Sequence, residues 1–440
     1  MEGGCLAWSI VLSSFIIHFL ESGFSDTFGL ILPAIRKTFH SSNVEASLAN
    51  SLVIFLTLGI SPLAAWLASR IGNRLTLALG VILASAGLFA SGVYIDFASS
   101  KYELLTNASD NNNNIVAEDI KHPDILVLYA TVGIFTGLGF GLTYLPAMTV
   151  IKMYFREHLG LACGIANAGT GLGQFVMAPI IAYLLRNFSL AVVIYFFGAM
   201  FLASFPLCFV FKSKKKSINE NDNRIDDKEE DKSSLNEILF VLKTPSKLLL
   251  VVHVFLLNIG IYAVFTYFAE RARSFGISEN RTSTLVSIMG FANFVARILS
   301  GVIIDKFRSK TFLILTTVHM INGVSILISQ FLPSFPAQTI TAIIFGAGFG
   351  TKVTCMVVLV SIIDDNITHL LSIIYLSVGV ASLIGPSFVG YLLDVTGSHL
   401  LGFVTISILF ILGGLCLPLS WILHQRKLHK SEETSIVTKM

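Results

Sequence analysis

The chain has 440 residues, of which 54% are hydrophobic and only 13% are charged, whereas about 25% of the residues in an average soluble domain are charged. Apolar runs of about 20 residues recur along the sequence, and each is long enough to cross a bilayer as a helix. The formal net charge is +3, and the basic residues stand in short loops between apolar runs, so nothing indicates a nucleic-acid partner. The composition excludes a soluble domain and predicts an all-α membrane protein.

No segment carries the pattern of a catalytic or cofactor site. The five cysteines lie in or at the ends of apolar segments without metal-ligand spacing, which predicts packing roles. No nucleophile–base pair, metal cluster or phosphate-cradling loop stands in or beside the apolar runs. We therefore predict no cofactor, no bound metal and no enzymatic activity.

Twelve apolar segments are long enough to be transmembrane helices. They cover about 7–33, 47–69, 75–96, 123–147, 159–184, 189–211, 248–269, 283–304, 311–332, 338–362, 369–393 and 400–424. The loops after spans 2, 4, 6 and 8, together with the C-terminal tail, hold 20 Lys and Arg, and the loops after spans 1, 3, 5 and 7 hold 8. The positive-inside rule then predicts that both termini are cytoplasmic.

Two hydrophilic segments interrupt the spans. Residues 212–247 contain too few apolar residues to bury a core and are predicted to be a flexible cytoplasmic linker. This linker divides a six-helix half, 1–211, from a second half, 248–424, and residues 425–440 form a cytoplasmic tail. The segment 97–122 is predicted to be extracellular, and its sequon at Asn107 is a candidate glycosylation site.

The stretch GFANFVARILSGVIIDKFRSK, residues 290–310, contains a lone arginine, Arg297, eight residues before a charged turn. At about 1.5 Å per residue, Arg297 is about 12 Å inside the membrane from that turn. A charge at such a depth is costly, so it marks a functional site by default. The organisation of the chain can be interpreted around this charge.

An internal repeat relates the loops after spans 2 and 8. AWLASRIGNR (65–74) matches GVIIDKFRSK (301–310), since each has a small residue, apolar residues and then a basic turn. Repeats six spans apart are typical of a transporter whose site lies between two halves, although the positive-inside rule alone would also place basic turns here. The charged residues of the two turns are candidate gate residues: Arg70, Arg74, Asp305 and Lys306.

Four local motifs carry a resemblance to a known family. They are EGGCLAW (2–8), GIFTGLGFGLTYLPA (133–147), YFREHLGLACGIANAGTGLG (154–173) and IGPSFVGYLLDVTGSH (384–399). Together they resemble the proton-coupled monocarboxylate transporter family of the major facilitator superfamily. The resemblance implies the major facilitator fold, with twelve transmembrane helices in two six-helix halves. It also implies a single-span glycoprotein as a chaperone partner.

The resemblance further implies a site with a lysine on helix 1 and an Asp–Arg pair, one turn apart, on helix 8. Arg297 matches the arginine of this pair, whereas Asn293 stands where the family has the acid. On helix 1, Asp26 stands at the position of the lysine. This chain therefore keeps one of the three charges, neutralises the second and reverses the third.

Other charged residues inside the spans could compensate for the neutral Asn293 and for the reversed charge at Asp26. Lys352 lies within span 10, and His18 and Glu21 lie near Asp26 on span 1. Because buried charges are rarely left unpaired, we expect Glu21 and Asp26 to form two pairs with Arg297 and Lys352.

We predict that Arg297 binds a substrate carboxylate, with Lys352 as a second cation. Asp26 is predicted to couple a proton to transport, with Glu21 and His18 as further candidates. The alternative is that Asp26 pairs with Arg297 or Lys352 and only locks one state. Further candidates for contact with substrate are the polar and aromatic residues Asn293, Tyr144 and Phe349. His253 and Asn258 could line the site or hold helices together.

These observations predict a plasma-membrane transporter of a small organic monocarboxylate, working as a proton-coupled symporter by alternating access. The alternatives are facilitative transport of a neutral, zwitterionic or cationic solute, and a non-transporting receptor or scaffold on the same fold. The predicted partners are a small organic solute, a proton, membrane lipid and the single-span glycoprotein. No nucleic acid is expected.

Overall fold

The computed structural model describes residues 4–111, 123–155, 159–211, 244–363 and 367–437. All regular secondary structure within these ranges is helical. Eleven of the described helices are long and apolar enough to cross a membrane, and one helix pair, bent by 52°, makes a twelfth span. This agrees with the twelve spans predicted from the sequence. Residues 212–243 of the predicted linker lie outside the described residues.

The spans are numbered here in chain order. Spans 1 to 6 are Cys5–Ser25 with Phe28–Phe39, Asn43–Gly59 with Ser61–Ile71, Asn73–Asn111, Ile125–Ile151, Leu159–Asn187 and Leu190–Val210. Spans 7 to 12 are Pro245–Ser274, Glu279–Lys306, Thr311–Ile328, Phe335–Ile363, Ile367–Thr396 and His399–Val437. Span 3 continues as a helix into the segment predicted to be extracellular, and span 12 continues into the predicted tail.

Span 1 consists of two helices, where the sequence predicted one continuous span. The first helix ends at Ser25 and the second begins at Phe28, so Asp26 and Thr27 form the break. The hydroxyl of Thr27 donates to the carbonyl oxygen of Gly23, and such side-chain bonds compete with the backbone ladder of a helix. The break places the carboxylate of Asp26 at a helix end in the middle of the bundle.

The two halves meet mainly along two helix pairs, span 2 with span 11 and span 5 with span 8, and the second helix of span 1 also contacts span 7. Spans 2 and 8, which precede the repeated turns, stand in equivalent places, because each packs on the fifth span of the opposite half. Glycines bring spans 5 and 8 close together. A Cβ on Gly171 would lie 2.5 Å from the backbone nitrogen of Phe294, and a Cβ on Gly290 would lie 2.5 Å from that of Phe175. In a membrane no hydrophobic driving force holds helices together, so small residues that allow close backbone packing stabilise such contacts.

One end of the bundle is closed by polar contacts between the halves. We call it the distal end, and we call the opposite end, where span 6 stops and span 7 starts, the linker end. Arg36 Nη1 lies 2.6 Å from Glu270 Oε1. The Asn43 side chain donates to Asp394 at 2.6 Å, and the Tyr267 hydroxyl donates to the Asn43 carbonyl oxygen at 3.1 Å. These five residues form the distal clasp, which ties spans 1 and 2 to spans 7 and 11.

Candidate functional site

Arg297 lies on span 8 in the middle of the bundle, with 3% of its surface exposed. Its Nε donates to Asn293 Oδ1 at 2.8 Å, and its Nη1 donates to the carbonyl oxygen of Asn167 on span 5 at 3.2 Å. The guanidinium also lies 5.5 Å from the centre of the Phe349 ring. Nη2 makes no hydrogen bond within the described residues. Contacts from both halves therefore orient the arginine and leave one donor group free.

Lys352 on span 10 is the second buried cation, 5% exposed. Its ammonium donates to Asn258 Oδ1 on span 7 at 2.8 Å and lies 5.9 Å from the centre of the Phe349 ring. Phe349 thus contacts both cations through its ring face, an arrangement that favours positive charge. Arg297 and Lys352 are close enough for their charges to interact.

The acidic residues lie on span 1. Glu21 is 4% exposed, and one of its carboxylate oxygens lies 3.2 Å from His18 Nδ1. The other accepts a hydrogen bond of 2.5 Å from the Thr143 hydroxyl on span 4. The ring of His18 packs edge-on against Tyr144, with 4.8 Å between ring centroids. Glu21 and His18 therefore form one hydrogen-bonded group inside the first half.

Asp26 stands apart from that group, at the break of span 1. It is 7% exposed. Its charge interacts with that of Arg297. However, no nitrogen of Arg297 lies within the 4.0 Å of a salt bridge.

The two expected charge pairs are therefore not formed, and this prediction was wrong. Within the described residues, no ion pair joins Glu21 or Asp26 to Arg297 or Lys352. Neutral side chains contact three of these charges instead: asparagine oxygens accept from both cations, and the Thr143 hydroxyl donates to Glu21. The acids thus line the first half and the bases line the second.

The structure brings most of the predicted site residues together and leaves the gate residues apart. His18, Glu21, Tyr144, Asn293 and Phe349 all contact a central charge or each other. Arg70, Arg74 and Lys306 are exposed. The side chains of Asp305 and Asn107 lie outside the described residues.

Sequence reasoning missed Thr143, Tyr262 and Tyr375. Tyr262 is buried near Asp26 and Arg297, and Tyr375 is near Tyr144. Thr143 stands beside Tyr144 in a glycine-rich motif, which was the only signal for it. The two tyrosines have no local pattern that separates them from packing residues.

Twelve spans in two halves, with buried charges midway between the halves, define a secondary transporter of the major facilitator type. The family model of the Major Facilitator Superfamily matches residues 14–363 and 254–437. The chain belongs to this superfamily. It is a multi-pass membrane transporter rather than an enzyme.

The chain is similar to Monocarboxylate transporter 12 of Mus musculus, with 25% identity over 92% of this chain and 82% of that protein. It is 24% identical to Monocarboxylate transporter 6 of Mus musculus, over 98% of this chain and 90% of that protein. It is 23% identical to Monocarboxylate transporter 2 of Rattus norvegicus, over 98% of this chain and 86% of that protein. These relatives confirm the resemblance to the monocarboxylate transporter family that the four motifs indicated.

Proposed function

We propose that the chain carries a small organic monocarboxylate across the plasma membrane by alternating access. The observation that carries this proposal is the buried guanidinium of Arg297, which has neutral partners and one free donor group. A buried cation without a carboxylate partner is unfavourable. A substrate carboxylate would supply the missing charge and accept hydrogen bonds from Nη2. The names of the relatives support the same substrate class.

Lys352 provides the second cationic contact in this proposal. Within the described residues its ammonium donates one hydrogen bond, to Asn258, and an ammonium has three donors. Phe349 would pack against the apolar part of the substrate, since the centre of its ring lies 5.5 Å from the Arg297 guanidinium and 5.9 Å from the Lys352 ammonium. A small acid could therefore bridge spans 8 and 10, while Asn293 keeps Arg297 in place.

Asp26 is the proposed site of proton coupling. Its carboxylate is buried at the helix break, faces the charge of Arg297 and lacks an ion-pair partner. When the site holds a substrate anion, a proton on Asp26 would keep the total charge in the low-dielectric interior small. Glu21 and His18 form the second titratable group of the same half and would take part only through rearrangement of their mutual bond.

Alternating access is supported by the asymmetry between the two ends. The distal clasp joins the halves at the end predicted to be extracellular, while Arg70, Arg74 and Lys306 are exposed at the linker end. We propose that the clasp closes the outward path and that the exposed charges, together with Asp305, close the inward path in the opposite state. Each state would then use a different set of polar contacts between the halves.

One observation favours a second candidate, facilitative transport of a zwitterionic solute. Asp26 and Arg297 belong to opposite halves and are close enough for their charges to interact, yet they form no ion pair. A solute with an ammonium and a carboxylate could neutralise both at once, without a proton. In this case Asp26 would contact the substrate directly.

The remaining proposals concern the surroundings of the transporter. We propose cytoplasmic termini from the distribution of Lys and Arg, and glycosylation at Asn107 from its sequon. A single-span glycoprotein chaperone is proposed from the family resemblance alone.

The test is uptake by proteoliposomes of radiolabelled monocarboxylates, amino acids and amines at equal pH and with the interior one pH unit more alkaline. Coupled symport of one proton with one acid allows about tenfold accumulation per pH unit. Protein-free liposomes measure passive entry of the protonated acid. Accumulation of a monocarboxylate above this background supports the first candidate, whereas zwitterion uptake that ignores the proton gradient supports the second.

A further inference from the structure

A cavity of about 510 Å³ lies between the two halves at the distal end. The apolar part of its wall belongs to the first half, where the second helix of span 1 contributes Leu30 and Pro33 and span 5 contributes Leu185. The second half contributes polar residues, among them Arg273 near the end of span 7 and Asn280 near the start of span 8. The central cations do not line this cavity, so it is separate from the substrate contacts proposed above.

A repeat within the sequence relates the start of span 8 to the start of span 2. KTFHSSN (37–43) matches RSFGISE (273–279) at the basic residue, the hydroxyl residue, the phenylalanine and the last serine. In both copies the phenylalanine is followed by a residue with a positive φ, 50° in the first and 78° in the second. The last serine, Ser42 or Ser278, is the N-cap residue of the helix that follows. The two helix starts are therefore equivalent positions in the two halves.

At the start of span 2, N–H groups of the helix find acceptors. The Ser42 hydroxyl accepts from the backbone nitrogen of Glu45 at 3.2 Å. Asp394, on span 11 of the opposite half, accepts from the backbone nitrogens of Asn43 at 3.1 Å and Val44 at 3.3 Å. The N-terminus of a helix favours negative charge. A carboxylate from one half thus binds the helix start of the other half, as part of the distal clasp.

At the start of span 8 these acceptors are missing. Ser278 makes no capping hydrogen bond, and an arginine stands three residues after it, where span 2 has Glu45. On span 5, YLLR (183–186) stands where span 11 has YLLD (391–394), so an arginine that lines the cavity replaces the acid. Arginine has donors and no acceptor. A lysine there would also have no acceptor, so an acid is needed to fill the place.

The unused donors and the charge of the wall both suit an anion. The backbone nitrogens of Glu279, Asn280 and Arg281 have no hydrogen-bond acceptor among the described residues. Arg273 donates from Nε to Glu279 Oε1 at 2.8 Å, and its Nη1 is buried without a partner in that same part of the chain. Together with Arg186, the wall carries two positive charges and one negative charge. A carboxylate in the cavity would meet free donors and a net positive charge.

We propose that this cavity binds the carboxylate of a small organic acid from the outside, in the place that Asp394 fills in the other half. The carboxylate accepts from the N–H groups at the start of span 8 and from Arg273, and the apolar wall contacts the rest of the acid. Because these donors and the apolar wall belong to opposite halves, the bound acid holds the distal end closed. External acid at high concentration then slows uptake. The inference rests on the proposed carboxylate transport for its ligand class and adds a site separate from Arg297 and Lys352.

Protection of a thiol in the cavity tests the site without transport. Ser278 is exposed and lines the cavity, so Ser278→Cys in a cysteine-free background places a thiol beside the proposed carboxylate. The purified protein is labelled with a membrane-impermeant thiol reagent while sodium acetate replaces sodium chloride at constant ionic strength. We expect the labelling rate to fall saturably, by about tenfold when acetate is at ten times its apparent Kd. Acetamide, the neutral analogue, should not protect. No slowing by acetate, or equal slowing by acetamide, would overturn the proposal.

The same assay separates this inference from the proposed function. Arg297→Lys alters the central site, and acetate should still protect the thiol in that background. Protection that disappears there would assign the effect to the central site and overturn the inference. Absence of monocarboxylate uptake by the unaltered protein, with protection intact, would overturn the proposed function alone.

Arg186→Asp supplies the missing acid from the chain itself. The new carboxylate stands at the position equivalent to Asp394, so acetate should no longer change the labelling rate of Ser278→Cys. Asn187→Asp is the control, because it adds a carboxylate at the next residue, which does not line the cavity, and it should leave the acetate protection intact. The elution volume confirms that both variants are folded. Full protection by acetate in Arg186→Asp would show that the anion binds elsewhere and would overturn the proposal.

Discussion

Arg36 on span 1 and Glu270 on span 7 form an ion pair of 2.6 Å that joins the two halves of the transporter at its distal end. The pair is 234 residues apart in sequence, and each partner belongs to a helix that also carries a central polar residue. Arg36 follows Asp26 on span 1, and Glu270 follows Asn258 on span 7. Closure of the distal end is therefore mechanically connected to both sides of the central site.

We expect Glu270→Gln to shift the protein towards a state that is open at the distal end. The side chains of Arg36 and Glu270 are 35% and 16% exposed, and an ion pair of this kind contributes about 1 kcal/mol at most, or about fivefold in population. In a cysteine-free background, a cysteine at Thr266, which is buried beside the clasp, reports opening through its rate of labelling by a membrane-impermeant thiol reagent. The rate should rise about fivefold.

The charge-reversed double variant Arg36→Glu/Glu270→Arg is the control for this prediction. It restores an ion pair with the opposite polarity, so labelling should return towards the original rate. If both variants label at the rate of the unaltered clasp, the ion pair does not hold the halves together.

Arg297→Lys should abolish uptake while the protein still reaches the membrane. A lysine ends in a single ammonium instead of a planar fork, so it cannot reproduce the geometry in which Asn293 and the Asn167 carbonyl hold two nitrogens and a third is left for a carboxylate. We expect a loss of uptake of about tenfold or more. The measurement is initial uptake normalised to the amount of surface protein. Arg186→Lys, an exposed arginine on span 5, is the matched control, and unchanged uptake by Arg297→Lys would refute the role of Arg297.

Asn258 and Lys352 should show strong energetic coupling. Asn258→Leu removes the oxygen that accepts from the buried ammonium at 2.8 Å, and an unsatisfied buried donor costs about 1–3 kcal/mol, more when it is charged. Thermal stability in detergent should fall. In Asn258→Leu/Lys352→Met both polar partners are gone, so stability should recover most of the loss. Additive effects of the two substitutions would contradict the contact.

Gly171→Ala should impair the protein far more than a glycine substitution elsewhere on the same helix. The new Cβ would lie 2.5 Å from the backbone nitrogen of Phe294 on span 8, so spans 5 and 8 must separate, at a cost of about 1–3 kcal/mol. Gly164→Ala is the control, because a Cβ there meets no atom within 4 Å. Equal thermal stability and uptake for the two variants would show that close packing of spans 5 and 8 is dispensable.

The sequence was sufficient to predict the spans, the superfamily and the central cations. Arg297 and Lys352 were recognisable because a basic residue is rare and costly inside a membrane-spanning apolar run. The bond between Asn293 and Arg297 was also within reach, since four residues make one helical turn. These predictions depend only on composition and on contacts along one helix.

Contacts between helices that are far apart in the chain could not be predicted from the sequence. Asn258 and Lys352 are 94 residues apart, and nothing local identifies the asparagine as the partner that replaces an acid. The prediction of two ion pairs was wrong for this reason. Arg36 and Asp394 resembled ordinary charges near helix ends, yet they belong to the distal clasp. The break at Asp26 has neither proline nor glycine at the break itself, so only the structure reveals it.

That break divides span 1 into two helices with different neighbours. Its first helix packs against span 5, while its second, Phe28–Phe39, lies against span 7 of the other half and carries Arg36 of the distal clasp. In the proposed cycle, loss of the clasp would free the second helix from span 7. Asp26 stands at the junction of the two helices, so this movement would also displace the carboxylate from its place near Arg297.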